Sequence, residues 1–239
     1  RAAQLVSRGR TNIINTPLPE VADGNALVQP LLLAICGSDL RKVYYFPEDC
    51  YPLPPGNAGH EVIARVVSIN HGVLSQAGET FGYPWGPVKT GDIVLALIPE
   101  IENGMAEYMT TEITNLLPLP PEKPATSLIL AQQLGTVIYA CRRLPDVTGM
   151  NVVVVGQGSA GLFFNTMLSR MGAKNIIAFD HSDARLEMGL NFGATAGFNS
   201  KNLIYIDRHI FILFPAYGLF SISDFSKFNC HIASPGYKP

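Results

Sequence analysis

Cysteine is scarce in this 239-residue chain, and the four present (Cys36, Cys50, Cys141, Cys230) show no paired spacing. That argues against a disulfide framework and for reduced intracellular thiols, one of them a candidate metal ligand. Charge is sparse as well. Only 15% of residues are charged, the net charge is −2 and the sequence pI is near 6.2. With no basic stripe, nucleic acid is not an expected partner. No stretch reaches the roughly 18 uninterrupted apolar residues of a membrane span, and no signal peptide is visible. The expectation is a soluble, cytoplasmic protein, with an initial residue or two preceding Arg1. Internal repeats and low-complexity tracts are also missing. The length suits one large domain or two small ones with ample chain for a core.

What is present centres on residues 151–180. Four valines after Asn151 suit a short strand buried on both faces. Gly156, Gly158 and Gly161 follow as G-x-G-x-x-G with Ser159 inside the loop, and then an apolar helical stretch, 162–171, that ends at Gly172. A second strand, 175–179, leads to Asp180, 19 residues past the last glycine. This strand–turn–helix–strand–acid order is what a dinucleotide-binding fingerprint requires. Gly156 would permit the tight turn, Gly158 would let the backbone approach a pyrophosphate, and Gly161 would let helix and strand pack closely. The helix amino terminus offers unpaired N–H groups to phosphate. Asp180 suits the ribose hydroxyls and disfavours a 2′-phosphate, which points to NAD rather than NADP. The alternative is a glycine turn that serves packing alone.

Residues 1–120 lack long helical periodicity. Short β-prone runs at 25–30, 61–69, 92–97 and 105–111 alternate with turn signals such as Pro54-Pro55-Gly56 and Thr90-Gly91-Asp92, a pattern of a small β-barrel or bent sheet. Two polar clusters interrupt it, Cys36-Gly37-Ser38-Asp39 and Gly59-His60-Glu61. Thiol, imidazole and carboxylate are all competent zinc ligands, but Cys36 and His60 stand 24 residues apart, outside any local finger pattern. Taken singly, Cys36 reads as a small buried hydrophobe and His60 as an ordinary strand-start histidine.

Cys-Gly-Ser-Asp, Gly-His-Glu, Gly-Asp-Ile-Val at 91–94, Gly-Met-Ala-Glu-Tyr at 104–108 and the glycine fingerprint stand in one order. Together they resemble the medium-chain dehydrogenase/reductase superfamily, of the zinc-dependent alcohol, polyol and threonine dehydrogenase type. The resemblance covers about residues 2–199. It implies an α/β plus β fold: a GroES-like β-barrel catalytic domain over 1–125, then a partial Rossmann domain, a doubly wound parallel sheet, over 126–200, with the active site in the cleft between them. It implies Cys36 and His60 as ligands of one catalytic zinc, and Glu61 as a further ligand or near neighbour. Ser38 would relay the substrate proton and Asp39 would orient the ligand histidine. Zinc would polarise the oxygen of a small alcohol or polyol while NAD takes the hydride. Thr136 would pack on the nicotinamide, or else fill a helix contact. Arg185 would lie over the adenine, or else stand exposed. Intact relatives are usually homo-oligomers.

There are departures. Arg41 replaces the histidine of many relatives at the proton-exit position. No cysteine lies between Gly91 and Gly104, so no structural zinc is expected. Residues 74–88, with Trp85, read as a loop that lines the cleft or as a surface excursion. A helix is expected at 128–143, capped by Thr126 or Ser127. Near its start Gln132 takes the place of the family's third ligand. Either Cys36, His60 and Glu61 bind zinc with a water held by Gln132, or the site is weak or empty. Beyond about Ser200 the resemblance stops. The remaining residues, 201–239, hold eight aromatics and no glutamate and no second βαβαβ half. The β-prone run 205–214 suits one added strand, leaving an open sheet edge prone to aggregation. A truncation, frameshift or retained intron is expected there. The chain is therefore read as a zinc-dependent oxidoreductase or, alternatively, as an inert remnant with weak nucleotide or zinc binding. A zinc-free quinone or enoyl reductase is disfavoured by the Cys36 and His60 pair.

Overall fold

The computed structural model describes residues 1–72, 87–97, 103–202, 211–214 and 218–219. Most of the 74–88 loop, including Trp85, and most of the tail lie outside the described residues. The chain divides into two compact units, Arg1–Gln132 and Gln133–Pro239.

The first unit begins with a hairpin of β1 (Ala2–Ser7) and β2 (Arg10–Ile14). Its main sheet contains β3 (Asn25–Ala34), β4 (Glu61–Asn70), β5 (Ile93–Leu97), β6 (Met109–Glu112) and β7 (Leu116–Pro118), in the antiparallel order β6-β3-β4-β5-β7. The period-2 pattern of β4 explains its central place. Val62, Ala64 and Val66 enter one core with Val28, Val94 and Met109. Ile63, between them, enters another with Leu95 and Ile129. Pro30 supplies no N–H to the ladder, and the β3–β4 register shifts between Pro30 and Leu32. After that bulge Ala34 pairs with Glu61. This register matters for function: it brings the chain just past β3 beside the chain just before β4, so Cys36 and His60 meet at one end of the sheet. The helix α1 (Gly37–Tyr44) starts directly after Cys36.

The helix expected over 128–143 is broken in two, α2 (Ala125–Leu128) and α3 (Ala131–Cys141). Its cap is Pro124, whose carbonyl accepts from the N–H groups of Ser127 and Leu128 at 2.9 and 3.2 Å. Thr126 and Ser127 lie inside the first turn instead of capping it, because the fixed φ of proline already sets the entering chain direction.

The second unit follows the expected alternation: β8 (Asn151–Val155), α4 (Ser159–Arg170), β9 (Asn175–Asp180), α5 (Asp183–Asn191) and β10 (Ala196–Asn199). Strands β10, β9 and β8 pair in parallel. Phe164 and Leu168, one turn apart on α4, pack on Val152, Val154, Ile176 and Ala178. Gly172, at φ +83°, ends the helix in the left-handed region. The tail adds β11 (Phe211–Phe214), parallel to β8, and a two-residue β12 (Gly218–Leu219) antiparallel to it, giving the order β10-β9-β8-β11-β12. The second edge of β8 is thus covered by one short strand from the tail, within the β-prone run.

Candidate functional site

Cys36 caps α1, and its own N–H donates to Asp39 Oδ2 at 2.8 Å. Asp39 Oδ1 accepts from the Gly59 N–H, also at 2.8 Å, and lies 3.6 Å from His60 Nδ1. Asp39 is fully buried, so one carboxylate ties the loop that carries Cys36 to the loop that carries His60. Ala58, buried and at φ +92°, and Gly59, at φ +84°, turn the chain into this position. Gly104 closes over it: a Cβ there would stand 2.5 Å from Val62 Cγ2 and 2.6 Å from the Gly59 carbonyl oxygen. The donor atoms of Cys36, His60 and Glu61 lie within 4.8 Å of one another, Glu61 being buried and the other two half-buried.

The electrostatics follow from this packing. Hydrogen bonding to His60 holds the Cys36 thiol below its ordinary value; Ser38 assists, while burial and the Glu61 charge oppose. His60 is pushed up to about 10, first by Asp39 and then by Cys36, against burial. Burial would raise Asp39, but His60 and the N–H groups of Gly59 and Cys36 together bring it below the ordinary carboxylate range. The result is a thiolate-prone sulfur, an imidazole and a carboxylate converging at one point, a donor set that fits zinc. Ser38, on the first turn of α1, is exposed, as is Arg41. Gln132 is half-buried in the first turn of α3, at the end of the first unit. Thr136 is exposed one turn further, in the second unit.

The glycine loop lies entirely in the second unit. Gly156 is at φ +91°. A Cβ on Gly161 would fall 2.0 Å from the Gly156 carbonyl oxygen, so helix and turn are in backbone contact. A Cβ on Gly158 would meet nothing within 4 Å: the face of the loop at the amino terminus of α4 is open, and Ser159 opens that helix. The cradle fits a pyrophosphate. Asp180, 5% exposed, accepts from the Gln157 N–H at 2.7 Å and the Ser182 N–H at 2.9 Å. Arg185 Nη1 stands 3.9 Å from Oδ2 and His181 Nδ1 3.4 Å from Oδ1. Burial opposes ionisation of Asp180, yet these two N–H groups, Arg185 and His181 hold it below its ordinary value. Sequence reasoning missed the Gly59 donor, the strained turn at Ala58 and the buried side chains of Gln157 and Asn165. Among these Gly59, inside the Gly-His-Glu cluster, and Gln157, between two motif glycines, carried a local signal.

No family model matches the chain. L-threonine 3-dehydrogenase from Xanthomonas oryzae pv. oryzae (strain MAFF 311018) is 26% identical over 195 residues, which cover 75% of this chain and 56% of that one. 5-exo-hydroxycamphor dehydrogenase from Pseudomonas putida is 30% identical over 236 residues, covering 82% and 60%. The chain is thus similar in sequence to curated dehydrogenases, in line with the resemblance its motifs carry. It spans little more than half the length of these curated relatives. Among solved structures, galactitol-1-phosphate dehydrogenase from Escherichia coli superposes with a TM-score of 0.70 at 20% identity, over 88% of this chain and 67% of that one. No helix among the described residues is long and apolar enough to cross a membrane.

Proposed function

We propose that this chain carries the metal and nucleotide sites of a zinc-dependent oxidoreductase that moves a hydride between NAD and an alcohol or polyol carbon. The observation that carries the reading is the convergence of Cys36, His60 and Glu61 on one point, behind a carboxylate that fixes two of their loops. Its frame is a GroES-like barrel over about 1–125 and a Rossmann half-sheet over about 126–200. The small-molecule partner and a cytoplasmic setting belong to the same reading.

Zinc held by Cys36, His60 and Glu61 would supply a Lewis acid for the substrate oxygen, and NAD the hydride acceptor. Asp39 holds His60 and the Cys36 N–H in place, so the donor atoms need little rearrangement. Ser38, exposed beside Cys36 on α1, takes the proton released from the substrate hydroxyl and passes it outward. Gly156, Gly158, Ser159 and Gly161 present the loop and the helix amino terminus to the pyrophosphate. Asp180 accepts from the ribose hydroxyls, and its charge disfavours a 2′-phosphate. Arg185 and Thr136 would lie against the adenine and nicotinamide ends. With zinc bound by Cys36, His60 and Glu61, Gln132 would hold a water beside the metal.

Metal analysis and an assay with NAD and a secondary alcohol test the reading. One zinc per chain and NADH formation are expected, and the absence of both would sink it. Gln132 favours a second reading, since an amide oxygen is a weaker ligand than a thiolate or carboxylate. In that case the chain binds nucleotide, holds zinc loosely and forms no NADH.

A further inference from the structure

Among its described residues the second unit buries two amide side chains, Gln157 and Asn165, against an apolar core. Gln157 is 1% exposed and Asn165 is 0% exposed, beside a core that contains Val154, Phe164, Leu168 and Leu186. Leucine would fill such volume without the desolvation cost of an amide. Their hydrogen bonds form a connected path. Asn165 Nδ2, on α4, donates to Gln157 Oε1 at 2.7 Å and to the Gly189 carbonyl, on α5, at 3.3 Å. Gln157 Nε2 donates to the carbonyls of Val154 and Gly156 at 3.2 and 3.3 Å. Gly189 leaves the space for this arrangement: a Cβ there would stand 2.5 Å from Gln157 Oε1. The path ends on the loop backbone, where the Gln157 N–H donates to Asp180 Oδ2 at 2.7 Å. Two helices and the end of β8 therefore converge through Gln157 on the orientation of the ribose-reading acid.

We propose that Gln157 and Asn165 are positioning residues that set nucleotide selectivity by holding the glycine loop and Asp180 in one fixed relation. The proposal rests on the nucleotide site described above. A core-packing role alone would affect stability and weaken NAD and NADP together. A positioning role affects their ratio, because the Asp180 contact discriminates at the 2′ position while the pyrophosphate contacts are common to both.

The test is equilibrium titration of the full chain with NAD and with NADP, alongside thermal unfolding. The double variant Q157L/N165L removes both amides together, so neither amide is left facing the loss of the other, and the carbonyls of Val154, Gly156 and Gly189 each lose one donor; the fold is expected to survive at reduced stability. Wild type is expected to bind NAD more tightly than NADP. In the double variant NAD affinity should fall about tenfold with NADP little changed, closing the ratio. Gly189→Ala keeps both amides but drives a methyl into the space of Gln157 Oε1, and should narrow the ratio in the same direction. It decides the matter should the double variant fail to fold. A ratio unchanged from wild type in a folded variant overturns the proposal, as does a wild type that binds both nucleotides equally. Failure of wild type to bind either nucleotide overturns the nucleotide site itself, a different result.

Discussion

Asp39 accepts from two backbone N–H groups that belong to different loops, one before α1 and one before β4. An amide keeps the shape of that side chain but offers only one acceptor oxygen, so either Cys36 or Gly59 would face an NH2 group. Asp39→Asn is therefore expected to fold and to bind zinc about 10–100-fold more weakly, read by competition with a chromophoric chelator. Unchanged affinity would remove Asp39 from the metal site's support. Asp180 has a comparable place in the second unit, and its protonation is linked to folding. Its folded pKa lies below the ordinary value of 3.8, so the folded state favours the carboxylate. The stabilisation is complete above the unfolded value and is lost as pH falls through the lower, folded one. Asp180→Asn abolishes that linkage. Urea unfolding of wild type and variant should differ most near neutrality and converge in acid, and a difference independent of pH would contradict the hydrogen bonds assigned to Asp180.

Between β8 and α4, two motif glycines separate packing from ligand access. The Gly161 Cβ position is filled by a backbone oxygen 2.0 Å away, whereas the Gly158 position meets nothing within 4 Å. Gly161→Ala should thus cost about 2–3 kcal/mol of stability, the range of an overpacked core. Gly158→Ala should stay within about 0.5 kcal/mol of wild type and still weaken nucleotide binding, because its methyl projects into the open face. Denaturant midpoints and nucleotide titration of the two variants check this, and a stable Gly161→Ala protein would refute the close approach. This element was legible in the sequence because its signals are local: a valine run, glycines at fixed offsets, and an acid after the next strand. Elements without such signals were not. The strand β2 shows no alternation of burial, and α1 is only eight residues long, with Asp39 as its only buried side chain, too short a window for a helical pattern to stand out.

For the molecule as a whole, the candidate metal cluster was legible as a list of residues and illegible as a geometry. Cys36 and His60 meet only because Ala34 pairs with Glu61 after a bulge at Pro30, a long-range register that no local spacing encodes. The tail shows the converse. Its β-prone run announced a strand, but parallel pairing to β8 depends on an edge that exists only once the second unit has formed. The division into two units has a functional consequence. The metal cluster lies wholly within residues 1–132 and the glycine loop with Asp180 wholly within 133–239, so each ligand is expected to bind without the other. Cys36→Ser should lose zinc and keep the NAD isotherm, and Gly158→Ala should lose NAD affinity and keep one zinc per chain. In the proposed function hydride transfer needs both sites, so each variant should lower NADH formation by itself. Chelation of zinc should likewise lower the thermal midpoint by mass action while leaving nucleotide affinity in place. Loss of NAD binding on chelation, or of zinc in Gly158→Ala, would show instead that the two sites form as one.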